Sequence, residues 1–171
     1  DYTATSSKSY IAGIWSGMYT GIANVNNVLT QIDSKQAVFA TNSYRVVKGE
    51  ALALRALLHF DLLRMFGVAP VVDGSRKSIP YVTRFGVSVY PLLSVNAVMD
   101  SCLKDLAEAE QLLSVEKTVR LEYPADPFLA YTRNHMNYWA VKGLQARIYL
   151  YRDDKQAALA EAQEVINNQP A

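Results

Sequence analysis

Four charged residues interrupt an apolar stretch, "EALALRALLHFDLLRMFG" at residues 50–67: Glu50, Arg55, Asp61 and Arg64. On a helix, Glu50, Asp61 and Arg64 fall near one face, and Asp61 and Arg64 have the i, i+3 spacing for direct pairing. Arg55 and His59 lie on the other side, one turn apart. Carboxylates, a guanidinium and an imidazole gathered on one helix are the raw material of acid–base catalysis. They are also what a central helix shows when its charges meet partners on neighbouring elements, since an unpaired buried charge costs on the order of several kcal/mol. No nucleophile or metal motif accompanies the cluster, so the spacing points to structural salt bridges and helix-terminus contacts.

The remaining reactive side chains are sparse. The two histidines, His59 in a helix and His135 in a loop, have no second metal ligand at helical spacing, and no HExxH, phosphate loop or GxSxG occurs. The single cysteine, Cys102, sits on an apolar stripe as a buried, inert thiol, which excludes an intrachain disulfide and a cysteine-rich zinc site. Aromatic residues offer more. Tyr81, Phe85, Tyr90, Tyr123, Phe128 and Tyr131 lie in irregular segments, and Trp139 stands beside Tyr138 at a helix start. Exposed rings suit stacking on the apolar faces of sugars, and they equally suit packing against further protein. Tyr81, Tyr123, Phe128, Tyr131 and Trp139 are the candidate ligand contacts.

The elements that must carry these residues are helices. The chain has 171 residues, half of them apolar, and a formal net charge of +1, so no global field recruits nucleic acid or an anionic membrane. No charged residue occurs between Lys8 and Asp33, and Gly13, Gly17 and Gly21 have small-xxx-small spacing, the texture of a membrane span. Asn24, Asn26 and Asn27 and a two-faced pattern argue against one. Ile11, Ile14, Trp15, Met18, Ile22, Val25, Leu29 and Ile32 form one stripe at helical period, with Thr20, Asn24 and Asn27 opposite. The glycines, each costing roughly 1 kcal/mol against Ala in a helix, predict a close neighbour along their flank.

A second helix is predicted over about 43–66, ended by Gly67 and Pro70. Residues 68–94 are a long irregular stretch in which "IPYVTRF" is a possible short strand. A third helix runs from about Val95 to Leu113 with Asp105, Glu108 and Glu110 outside its apolar stripe, as a solvated acidic face. After a second long connection, 114–136, a helix begins near Asn137, a good N-cap, and turns at Asp153-Asp154 into a last one. Its small Ala146, Ala158 and Ala162, with Pro170 behind them, fit a tetratricopeptide-type hairpin, and "VVKGEALALRALL" echoes "AVKGLQARIYL" in texture. The expectation is an all-α domain over 1–171, built of antiparallel helical hairpins: about five main helices with two long irregular connections. It starts at Asp1 without a leader, as part of a larger product would.

The second helix closely resembles the most distinctive stretch of the SusD/RagB family. The matching residues are Lys48, Gly49, Glu50, Leu54, Arg55, Ala56, Phe60, Asp61, Leu62, Arg64, Phe66, Gly67 and Pro70. Trp15, Tyr19, Ile22, Asn26, Val28 and Leu29 match the family's first helix, and "IP", "DLAEAEQLL" and "GLQARIYLY" follow in its order. Leu93 departs from it, standing where an Arg is usual. The resemblance implies a surface lipoprotein of Bacteroidetes outer membranes, held by a lipid anchor absent from this chain. Such a protein binds glycan without hydrolysing it, passes it to a TonB-dependent, SusC-like transporter, and needs no cofactor. Trp15, Asn26, Gly49, Glu50, Arg55, Asp61, Arg64 and Gly67 are then architectural. Two rival readings stay open: a generic tetratricopeptide-type protein-binding scaffold, and an enzyme whose site lies in a part not present here.

Overall fold

The computed structural model describes residues 4–40, 42–117 and 134–168. Helix α2 (Ser43–Phe66) is the centre of the fold. It buries Val46, Leu52, Ala53, Ala56, Phe60, Leu62 and Leu63 in one continuous core, because its sequence is apolar nearly all round. Helix α1 (Thr5–Ile32) packs antiparallel on one side, with Trp15 meeting Phe66 edge-on at 4.9 Å and Tyr19 meeting His59 at 6.1 Å. Helix α4 (Val95–Leu113) packs antiparallel on the other side. Its N-cap, Ser94, accepts a hydrogen bond from the Ala97 N–H at 3.2 Å. The close approach of α2 and α4 depends on Gly49: a Cβ there would lie 2.6 Å from Leu113 Cγ.

The connection between α2 and α4 is less irregular than its prolines suggest. Pro70 opens a one-turn helix, α3 (Pro70–Asp73), where its missing N–H costs nothing. Strands β1 (Lys77–Pro80) and β2 (Leu92–Ser94) then pair antiparallel, with Lys77 opposite Ser94 and Pro80 opposite Leu92 and an irregularity between. The strand expected within "IPYVTRF" thus begins earlier, at Lys77, and ends at Pro80, which lacks the donor needed to continue a ladder. Everything else regular among the described residues is helical.

Helices α5 (Tyr138–Tyr151) and α6 (Lys155–Asn168) form the antiparallel hairpin expected from the small residues. Asn137 caps α5 by accepting from the Ala140 N–H at 2.9 Å, and Asp154 Oδ1 accepts from Ala157 N–H at 3.0 Å at the start of α6. Asp153 makes the turn in the left-handed region, φ 69°. Lys142, buried in α5, ties the layers together, ion-paired with Glu110 of α4 at 3.2 Å and with Glu161 and Glu164 of α6. Burial works against its charge, but the three carboxylates outweigh it and its pKa is raised.

Two expectations about helix faces are corrected. On α1 the buried edge runs through Ile22, Asn26 and Ile32, while Ile11 and Ile14 stay exposed. Of the rest of the expected stripe, Trp15, Met18 and Leu29 do pack on the core. Ile11 and Ile14 are left out because the contacts of α1 with α2 and with the stretch after β1 begin at Trp15. Among the three glycines, only Gly21 has a neighbour, Leu58 Cδ1 at 3.2 Å from an added Cβ; Gly13 and Gly17 meet nothing within 4 Å. On α4, Asp105 does not belong to a solvated acidic face: it is 7 % exposed and faces the core. Among the described residues no helix is long and apolar enough to cross a membrane.

Candidate functional site

The charged residues of α2 find the partners that burial demands. Arg55 donates from Nε to Asp105 Oδ2 and from Nη2 to Asp105 Oδ1, both at 2.7 Å, a bidentate pair across the α2–α4 interface. Its Nη1 donates to Asn26 Oδ1 at 3.0 Å, which brings in α1. The Tyr81 hydroxyl donates to Asp105 Oδ2 at 2.6 Å, and the Tyr81 ring stacks on His59 with centroids 3.9 Å apart. Burial first, and the neighbouring Cys102 and Asp105 next, push the phenol well above its ordinary value, so it remains a donor.

His59 completes the set. Its Nδ1–H donates to the Arg55 carbonyl at 2.8 Å, and its Nε2 accepts from the Val82 N–H at 2.9 Å, which specifies the neutral ring. Burial lowers its pKa to about 4, with the Arg55 carbonyl opposing and the Arg55 charge reinforcing the shift. The network also grips the main chain leaving β1. Tyr19 donates to the Pro80 carbonyl and Asn26 Nδ2 to the Val82 carbonyl, each at 2.9 Å, while Arg55 Nη1 reaches the Thr83 carbonyl at 3.4 Å. Such a network, with its polar groups engaged by one another, rigidifies the core.

A second cluster lies at the ends of the 118–133 stretch. Glu50 Oε1 is 3.1 Å from His135 Nδ1, an ion-pair distance without hydrogen-bond alignment. Buried Glu116 accepts from the Tyr138 N–H through Oε2 at 3.1 Å and leaves Oε1 without a partner among the described residues. Burial raises the Glu116 carboxyl to about 7, opposed by the Tyr138 N–H and helped by the Glu50 charge. Burial raises Glu50 as well, against the pull of His135. Among the described residues no group of three or more His, Cys, Asp or Glu side chains is placed to hold a metal ion.

A cleft of about 510 Å³, open to solvent, lies between α3, the start of α4 and the α5–α6 turn. Pro70, Val71, Asn96, Asp100, Arg152 and Asp153 line it, with Arg152 ion-paired to Asp100. Neither Tyr81 nor Trp139 lines it. Tyr81 is corrected from an exposed ring to a buried one: with its face on His59 and its hydroxyl on Asp105, it has nothing to offer a ligand. Trp139 is half-buried against Tyr138, centroids 4.9 Å apart, and packs on the core. Tyr123, Phe128 and Tyr131 lie outside the described residues.

Most of the motif residues make packing or pairing contacts. Trp15 fills the space against Phe66, Asn26 and Arg55 belong to the buried network, and Gly49 sets the α2–α4 distance. Asp61 lies 3.7 Å from both Arg64 and Arg147 at a half-exposed edge. At Gly67 a Cβ would sit 2.7 Å from the Leu63 carbonyl, so glycine lets the chain turn off α2. Periodicity alone misplaces two members of the network, Asp105 and Tyr81. A signal for Asp105 exists: it stands three residues after Cys102 and four before Ala109, both on the buried stripe.

Residues 1–150 match the SusD-like family, described as starch-binding and associating with the outer membrane. The chain belongs to the SusD-like family. A SusD-like protein of Bacteroides ovatus is 23% identical over 152 residues, 88% of this chain and 24% of the relative. One from Formosa agariphila is 23% identical over 164 residues, 95% of this chain and 28% of the relative. A SusD superfamily crystal structure from Bacteroides thetaiotaomicron superposes with a TM-score of 0.74 at 27% identity, covering 90% of this chain and 31% of that one. A laminarin-binding SusD-like protein superposes with a TM-score of 0.67 at 25% identity, covering 89% and 29%. The chain therefore spans about a quarter of the length of the curated relatives it matches. What it shares with other SusD-like proteins is the helical fold.

Proposed function

We propose that this chain is the helical portion of a larger SusD-like lipoprotein that captures glycan at the outer-membrane surface. In this reading the complete protein is non-enzymatic and delivers oligosaccharide to a SusC-like, TonB-dependent transporter, with membrane attachment through a lipid anchor outside residues 1–171. The family match, described as starch-binding, carries the proposal, and the likeness to a laminarin-binding relative supports it. The geometry agrees: the polar groups of the core are consumed in holding helices together, as in a scaffold that presents a binding surface built elsewhere. Tyr123, Phe128, Tyr131 and Trp139 are the aromatic residues of this chain proposed for sugar contact.

The test is an affinity panel of α- and β-glucans, including starch and laminarin, on the complete gene product. Retardation by at least one polysaccharide, without release of reducing ends, is expected. Turnover of any bound glycan, or binding to none across a broad panel, would sink the proposal. Co-purification from outer membranes with a TonB-dependent transporter tests the delivery step separately.

A further inference from the structure

The segment between the two strands, residues 81–91, is held firmly at its start and bare at its tip. Side chains of Tyr19, Asn26, Arg55 and His59 bind the main chain of Pro80, Val82 and Thr83. Beyond that grip, Phe85 is 55% exposed, and Val87 and Val89 are fully exposed on either side of Ser88. Gly86 makes the bend at φ 127°, a conformation that glycine adopts readily. Pairing of Pro80 with Leu92 closes the base, and the Leu92 side chain is exposed too. Four apolar side chains thus face water on a short excursion whose base is rigid, so little ordering would oppose docking.

Two further features show that the excursion is incomplete by itself. The Tyr90 hydroxyl is out of water and has no hydrogen-bond partner among the described residues. From Gly74 to Met99 the chain contains Arg76, Lys77 and Arg84 and no acidic residue. Neither Lys77 nor Arg84 has an ion-pair partner among the described residues. A surface complementary to the excursion would be apolar at its centre and acidic at its rim.

We propose that residues 84–90 form a docking tip, and that its occupant is the further portion of polypeptide that SusD-like relatives carry. The two curated relatives extend well beyond the region matched, this chain covering 24% and 28% of them, so the material to cover the tip exists in proteins of this family. The inference rests on the reading of this chain as part of a longer protein. It holds whether or not that protein binds glycan. The grip of α1 and α2 on Pro80–Thr83 then has a purpose: it presents the tip at a fixed place on the helical core.

The experiment uses the complete gene product, purified without any transporter or membrane. A Val87→Cys variant supplies a thiol at the tip; Cys102 is buried, and any cysteine of the complete product outside residues 1–171 is replaced by Ser in both thiol variants. Its maleimide reaction is compared with that of Ser34→Cys, an exposed position on the 3-10 turn after α1. The expected result is a rate at least about ten-fold slower at residue 87 than at residue 34, independent of protein concentration. Slow hydrogen exchange over residues 84–90 in the unsubstituted protein, quickened by Val87→Ser, would support the same conclusion without a probe. Equal rates at the two thiols overturn the proposal, as does protection that appears only on adding anionic vesicles or at high protein concentration. A reading frame that adds no further domain also overturns it. Failure to retain any polysaccharide, with residue 87 protected, would refute the glycan proposal and leave this one standing.

Discussion

Asp105 accepts three hydrogen bonds, two from Arg55 and one from Tyr81, in a site closed to solvent. Removing one partner of such a pair leaves the other charge buried and alone, which costs far more than the pair's net contribution. Asp105→Ala is therefore expected to destabilise the protein by about 3–5 kcal/mol in denaturant unfolding. Adding Arg55→Met should return part of that loss, because the stranded guanidinium is gone. A loss within about 0.5 kcal/mol, as for a surface acid, would contradict the buried role. The outer ion pairs are different in kind: Asp61 with Arg64 is half-exposed at 3.7 Å, and its removal is expected to change stability by less than about 1 kcal/mol.

At the scale of elements, the glycines separate by what surrounds them. Gly49 lies where α2 and α4 touch, and a methyl group there would fall 2.6 Å from Leu113 Cγ and 3.2 Å from Leu112 Cβ. Gly49→Ala should force the helices apart and cost about 1–3 kcal/mol, read as a lower denaturation midpoint. Gly13 and Gly17 are helical and open, so Ala there should raise stability by roughly 0.5–1 kcal/mol each through helix propensity. If those two substitutions destabilise the complete protein instead, the flank of α1 is a contact surface there. The repeated Val-Lys-Gly texture also divides at this scale. Gly49 is packed against α4, whereas Gly143 meets nothing within 4 Å. Lys48 is partnered by Asp33 and Glu108, while Lys142 is enclosed by Glu110, Glu161 and Glu164.

At the scale of the whole molecule, two buried groups give opposite responses to pH. His59 titrates near 6.5 when unfolded and at about 4 in the fold, so its stabilisation is present above pH 6.5 and is lost as pH falls toward 4. Glu116 titrates near 4.5 unfolded and at about 7 in the fold, so its stabilisation is present below pH 4.5 and is lost as pH rises through 7. A tenfold change in proton affinity is worth about 1.4 kcal/mol, so the His59 effect is on the order of 3 kcal/mol, and the Glu116 effect is smaller because solvent screens part of its shift. Over the shared window the two oppose each other. His59→Gln, which can still donate to the Arg55 carbonyl and accept from Val82, should expose the Glu116 slope: stability falling from pH 4.5 to 7. Glu116→Gln should expose the His59 slope, with stability rising from pH 4 to 6.5. Parallel pH profiles for wild type and both variants would disprove the assignment.

What the sequence determined by itself was everything that repeats along the chain. The limits of α2 and α4, the Asn137 cap, the stop at Gly67 and the all-α class follow from periodicity, caps and breakers, which act over a few residues. The family motif was legible for the same reason, being one contiguous helix with its exit. Only the tertiary structure decided which polar groups are paired with which. Arg55 meets Asp105 across 50 positions and Asn26 across 29, and Tyr81 enters from a connection with no periodic signal. Whether a carboxylate at a stripe's edge faces water or a guanidinium depends on the rotation of two helices about each other. That rotation is set by close packing at residues such as Gly49, Leu112 and Leu113, and no local pattern encodes it.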